Sequence, residues 1–99
     1  MNRAISLART YGVAIRFADL GDWGLDELRS EYDPDVPEIR LNVRIAEALP
    51  PAELGDFVTL AIAHELYHHR ERIGEVAVLS DRVARERAAN DFARTFLEA

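Results

Sequence analysis

The feature that most constrains this chain is an uninterrupted run from Pro51 to about Arg70 that contains all three of its histidines, His64, His68 and His69. Pro50-Pro51 ends whatever precedes it and suits the first turn of a helix, with Glu53 placed favourably near the positive end of the helix dipole. No further proline follows, which predicts a helix of roughly 20 residues and about 30 Å. Each residue of such a helix advances about 100°, so His64 and His68 point the same way, about 6 Å apart along the axis. Phe57, Leu60 and Ala61 lie within about 60° of that direction. The two histidines therefore continue an apolar stripe that should face the interior. His69 lies about 140° away and is expected at the surface.

His64-Glu65-Leu66-Tyr67-His68 has the H-E-x-x-H form, in which two imidazoles one turn apart share a tetrahedral metal and the glutamate beside the first activates water. The chain has no cysteine, which excludes disulfides and thiolate zinc sites. Any metal must then be held by histidine and carboxylate.

With 99 residues, the chain is read as one domain over 1–99, large enough for one hydrophobic core. Its longest apolar run, Leu60 to Ala63, is far short of the roughly 18 residues that would span a bilayer, and the N-terminus lacks the layout of a secretory signal. The expectation is a soluble cytoplasmic protein without a membrane partner. A formal charge of −6 argues against general nucleic-acid binding, which needs basic residues to neutralise phosphates. Arg82, Arg85 and Arg87 on one segment read as a solvated helix face.

Ile5, Leu7, Ala8 and Tyr11 predict a short first helix ending at Gly12. Val13, Ile15 and Phe17 alternate with Ala14 and Arg16 as in a half-buried strand. Leu25 to Tyr32 reads as a weaker strand after the loop around Gly21 to Gly24, and Asp33-Pro34-Asp35-Val36-Pro37 as a turn. The alternation of Ile39, Leu41 and Val43 makes 38 to 44 the clearest strand, with a hairpin across the turn. Gly74 breaks the long helix, and Ser80 is the expected N-cap of a last helix, with Asp81 in its first turn. The fold class is α+β: a small, mainly antiparallel sheet packed on a helical pair.

Along the last helix Asn90, Ala93 and Leu97 fall within about 40° of Glu86, flanked by Ala89 and Phe96. A carboxylate in such a core-like stripe needs a cation, and the paired histidines offer a place for one. Glu71, Glu75 and Asp81 are rival carboxylates in the connecting region, and Glu86 could instead pair with Arg82 or Arg85.

Ala63-His64-Glu65-Leu66-Tyr67-His68, preceded by Phe57-Val58-Thr59-Leu60-Ala61 and followed by Glu86-Arg87-Ala88-Ala89-Asn90-Asp91-Phe92-Ala93, resembles the ImmA/IrrE family of zinc metallopeptidases. That family shows a T-L-A-H-E-L-x-H type of signature, then E-x-x-A-N-x-F-A on the next helix, after a helix and a small sheet whose last strand reads like Ile39-Arg40-Leu41-Asn42. The resemblance covers most of the chain from about residue 5, as a short, C-terminally abbreviated member. It implies a zincin-like core, His64, His68 and Glu86 as ligands of Zn2+, Glu65 as the catalytic carboxylate and Asn90 just behind the ligands.

Three protein ligands leave a fourth position for water, the mark of a catalytic rather than a structural zinc. Hydrolysis of peptide bonds is the expected chemistry, and the resemblance implies a regulatory protein substrate such as a DNA-binding helix-turn-helix repressor. A donor for the developing oxyanion is sought among Tyr67, His69, Tyr32 and the nearby arginines. The alternatives are a zinc-bearing interaction module in a regulatory or toxin-antitoxin-like pair, and a structural zinc domain closed by a fourth protein ligand.

Overall fold

The computed structural model describes residues 2–21 and 29–97. Its first helix, α1 (Arg3–Tyr11), starts at Asn2, whose side chain accepts from the amides of Ala4 and Ile5, and ends at Gly12 in the left-handed conformation, φ 71°. Glycine adopts that conformation without steric penalty, which is why the helix stops there. Strand β1 (Ala14–Ala18) follows, then β2 (Ser30–Asp33), a turn over 34–37 with a cis Val36–Pro37 bond, and β3 (Glu38–Asn42). The expected strand from Leu25 is seen from Ser30 onward; 25–28 lie outside the described residues.

The sheet is mixed, not mainly antiparallel. Its order is β1-β3-β2, with β2 antiparallel to β3 across the expected hairpin and β1 parallel to β3, Ile15 opposite Ile39. Alternation identifies strands and their inward faces but not which neighbour a strand joins. The connection from β1 to β3 contains β2 itself, so β1 reaches the other edge of β3 in the same direction.

Strand β3 ends at Asn42, short of the expected 44, because Asn42 becomes the cap of a short helix, α2 (Val43–Ala48), accepting from the amide of Arg44. The long helix α3 (Pro51–Arg72) begins at the expected proline. The last helix, α4 (Arg82–Arg94), is capped by Asp81 and not by Ser80, the Asp81 carboxylate accepting from the amide of Val83.

The core is where β3 meets α1 and α3: Ile39 and Leu41 are fully buried beside Ala4, Ala8, Phe57, Ile62 and Leu66. Val13 belongs to it, whereas Phe17, in the same alternation, is 47% exposed. Asn2 Nδ2 donates to Thr59 Oγ1 at 2.8 Å, tying the start of α1 to the middle of α3. Helix α4 lies along the C-terminal half of α3 and contributes Ala89 and Ala93 as its buried residues. No helix among the described residues is long and apolar enough to cross a membrane.

Candidate metal centre

His64 and His68 lie one turn apart on α3, their ring centroids 5.0 Å apart, both side chains half-buried. Each has its Nδ1 engaged: His64 Nδ1 lies 2.8 Å from Asn90 Oδ1 of α4, and His68 Nδ1 2.7 Å from Glu71 Oε1. With Nδ1–H donated to these oxygens, both Nε2 atoms are left as lone-pair donors, and both face Glu86 of α4. Glu86 Oε2 lies 3.0 Å from His64 Nε2, and Glu86 Oε1 lies 3.6 Å from His68 Nε2.

A lone pair facing a carboxylate is repulsive unless a positive charge lies between them, either a proton on each Nε2 or a metal ion. Tetrahedral zinc bound at about 2.0–2.1 Å sets its ligand atoms about 3.3–3.4 Å apart, and the observed separations straddle that value. The donor set, two imidazoles and a carboxylate without thiolate, suits zinc.

Glu65 lies beside this group. One donor atom each from His64, Glu65 and His68 falls within a sphere of mutual separations no larger than 4.8 Å. Unlike Glu86, Glu65 is buried, and its Oε2 accepts from Ser30 Oγ at 2.7 Å. Burial pushes the Glu65 carboxyl above the ordinary carboxylate range, opposed in part by the Ser30 hydrogen bond and the nearby histidines. Glu65 Oε2 is held by Ser30, while both oxygens of Glu86 face the Nε2 atoms, so Glu65 and Glu86 are the two carboxylates at this site.

The site residues expected from the motifs thus meet in space, but their setting differs from expectation. Glu86 and Asn90 are exposed rather than part of a buried stripe: α4 packs through Ala89 and Ala93 and reaches the histidines with its edge. His69, expected at the surface, is 6% exposed, set edge-on to the rings of Tyr11 and Tyr32 and 2.6 Å from the Tyr32 hydroxyl through Nδ1. Helix α3 is enclosed by α1 and the sheet on one side and α4 on the other, so a residue turned away from His64 is still inside. Burial lowers the His69 pKa and favours the neutral ring.

Three residues escaped the motif reading. Glu71 was weighed only as a rival ligand; it is buried and accepts from Arg85 Nε and Nη2, both at 3.1 Å, as well as facing His68. Burial alone would raise its pKa, but Arg85 and His68 outweigh that and hold it below the ordinary range. Arg85 is therefore a link between α4 and His68 rather than part of a solvated face. Ser30, a small residue on the weakest strand, carries no periodic signal.

A cleft of about 350 Å³ beside His68 is lined by Tyr32, Pro34, Arg72 and Val78, and another of about 520 Å³ runs past Glu86 and Asn90 between Arg82 and Arg94. The first reaches the centre at His68, while the second is lined by α4 residues alone and adjoins the centre only through Glu86 and Asn90. Comparison of the chain with family models, with characterised proteins and with solved structures gives no significant match.

Proposed function

We propose that this chain is a zinc-dependent metallopeptidase of the ImmA/IrrE type, with His64, His68 and Glu86 as ligands and Glu65 as the proton-transferring carboxylate. The observation that supports it best is the convergence of two Nε2 atoms on one Glu86 carboxylate, with the buried Glu65 alongside. When bound, zinc would lower the pKa of its water to about 7 and polarise the scissile carbonyl. Glu65 takes a proton from the attacking water as the new C–O bond forms, and returns it to the amide nitrogen as the C–N bond breaks, yielding a carboxylate and an amine. Asn90 and Glu71 hold the two imidazoles in the tautomer that leaves Nε2 free. The cleft beside His68 leaves room for a peptide segment; a regulatory, repressor-like substrate rests on the resemblance alone.

One observation favours a second reading, a zinc-bearing interaction module with little proteolysis. Three of the candidate oxyanion donors are already engaged, Tyr32 and His69 with each other and Arg85 with Glu71. Metal analysis together with cleavage assays on the wild type and Glu65→Gln separates the two. The peptidase reading expects one zinc in each protein and a loss of cleavage of about 10²-fold or more in the variant. Full zinc with no cleavage by either, across repressor-like partners, supports the module, and absence of stoichiometric zinc overturns both.

A further inference from the structure

Glu65 cannot be oriented by α3 alone, because a glutamate has three side-chain torsions and a helix fixes only the backbone from which they start. What fixes the carboxylate is outside the helix. Ser30, the first residue of β2, is 9% exposed, paired with Leu41 in the sheet, and its Oγ donates to Glu65 Oε2 at 2.7 Å across 35 residues of sequence. Among the described residues strand β2 pairs with β3, and β3 holds the core through Ile39 and Leu41, so the hydroxyl is mounted on a strand anchored to the buried core.

We infer that Ser30 is a positioning residue for Glu65: by occupying Oε2 it leaves Oε1 as the one carboxylate oxygen free to exchange a proton at the metal centre. The inference rests on the peptidase reading for what Glu65 does, but not for where Glu65 points. A serine suits the position because its hydroxyl supplies one donor without filling the space that the carboxylate needs, and threonine offers the same donor with one extra methyl. Alanine removes the donor and leaves Oε2 without a partner in a buried setting.

The test uses the full chain loaded with zinc, as wild type, Ser30→Ala and Ser30→Thr. Two readouts are taken: the crystal structure around Glu65, and cleavage of a mixed-sequence quenched fluorescent peptide library, followed on one cleaved member. The expected result in Ser30→Ala is full zinc content, a Glu65 carboxylate rotated away or spread over two positions, and kcat lowered about 10- to 100-fold with KM within about threefold of wild type. In Ser30→Thr the orientation and kcat return to within about threefold. A residue that only supports the fold would lower thermal stability without separating kcat from KM. Glu65 unmoved in Ser30→Ala, or moved with kcat unchanged, overturns the inference. If the wild type binds zinc but cleaves nothing, the peptidase reading fails by itself, and the crystal structures alone decide whether Ser30 sets the carboxylate; if Ser30→Ala does not fold, a threonine variant that displaces Glu65 or lowers kcat overturns the assignment, and one that preserves both supports it.

Discussion

His64 and His68 differ in what stands behind them: a neutral amide oxygen of Asn90 for one, the Glu71 carboxylate for the other. A carboxylate behind an imidazole holds the ring in place more firmly than an amide does, so His68 should be the better-anchored ligand and His64 the one more easily lost. Asn90→Leu removes the acceptor from His64 Nδ1 without touching the core, because Asn90 is exposed. Zinc affinity, measured by competition against a chromophoric chelator, is expected to fall about 10- to 100-fold, with the ligand His68→Ala losing stoichiometric zinc altogether. Affinity unchanged in Asn90→Leu would show that the bond to His64 does not set the ring. His64, Glu65 and His68 were legible as a unit because their spacing is local to one helix. Glu86 and Asn90 were legible as a pair by the same periodicity, though the side of α4 they occupy was not. Ser30 and the Arg85–Glu71 link were not, since each depends on how separate elements dock and no spacing within one element records that.

At the scale of elements, Gly12, Pro50-Pro51 and the apolar stripe marked where α1 and α3 begin or end, while the partner of β1 had no local signature. The outward face of β3 shows what the strand pattern left unsaid. Arg40 donates to Glu31, Asp33 and Glu38 at 2.9, 2.8 and 2.6 Å, so one guanidinium spans β2 and β3 on the side away from the core. Its hydrogen bond, with the backbone amide of Asp35, holds Asp33 below the ordinary carboxylate range, and Arg40 itself is pushed above its ordinary value by the three carboxylates. A lowered carboxylate pKa means that the folded state binds the proton more weakly than the unfolded chain. The stability contributed by Asp33 is therefore present above about pH 4, the unfolded value, and lost as pH falls through the lower folded value. Arg40→Gln should lower the urea midpoint at pH 7 and flatten its fall between about pH 5 and 2, so that the two proteins converge in acid. Parallel but offset curves would mean that the contribution of Arg40 does not pass through carboxylate titration, and coincident curves that the cluster contributes no net stability.

For the molecule as a whole, the candidate metal centre sits where α4 docks along α3. Helices α1 and α3 and strand β3 share the buried core, to which α4 adds Ala93; α4 also buries Ala89 and packs Phe92 in part. Two alanines contribute little apolar area, at about 25 cal/mol per Å². Besides this packing and that of Phe92 on Tyr67, docking of α4 uses polar links: Arg85 to Glu71, Asn90 to His64, and Glu86 to both histidines. The last needs a cation between the atoms, a proton or a metal ion, so a metal bound by these donors would strengthen the seating of α4. Free zinc at 100 times its dissociation constant would stabilise the fold by about 2.7 kcal/mol. In a domain of this size that corresponds to a rise in Tm on the order of 10 °C or more. Calorimetry over a series of free-zinc concentrations should show Tm climbing with the logarithm of zinc, and the dependence should vanish in His68→Ala. Hydrogen exchange adds the location: after chelation the amides of α4 should exchange faster while those of β3 and α1 keep their protection. A Tm indifferent to zinc, or protection lost evenly across the chain, would contradict this coupling, because α4 would then be held by its own packing and the three donors would have no shared ion to bring them together.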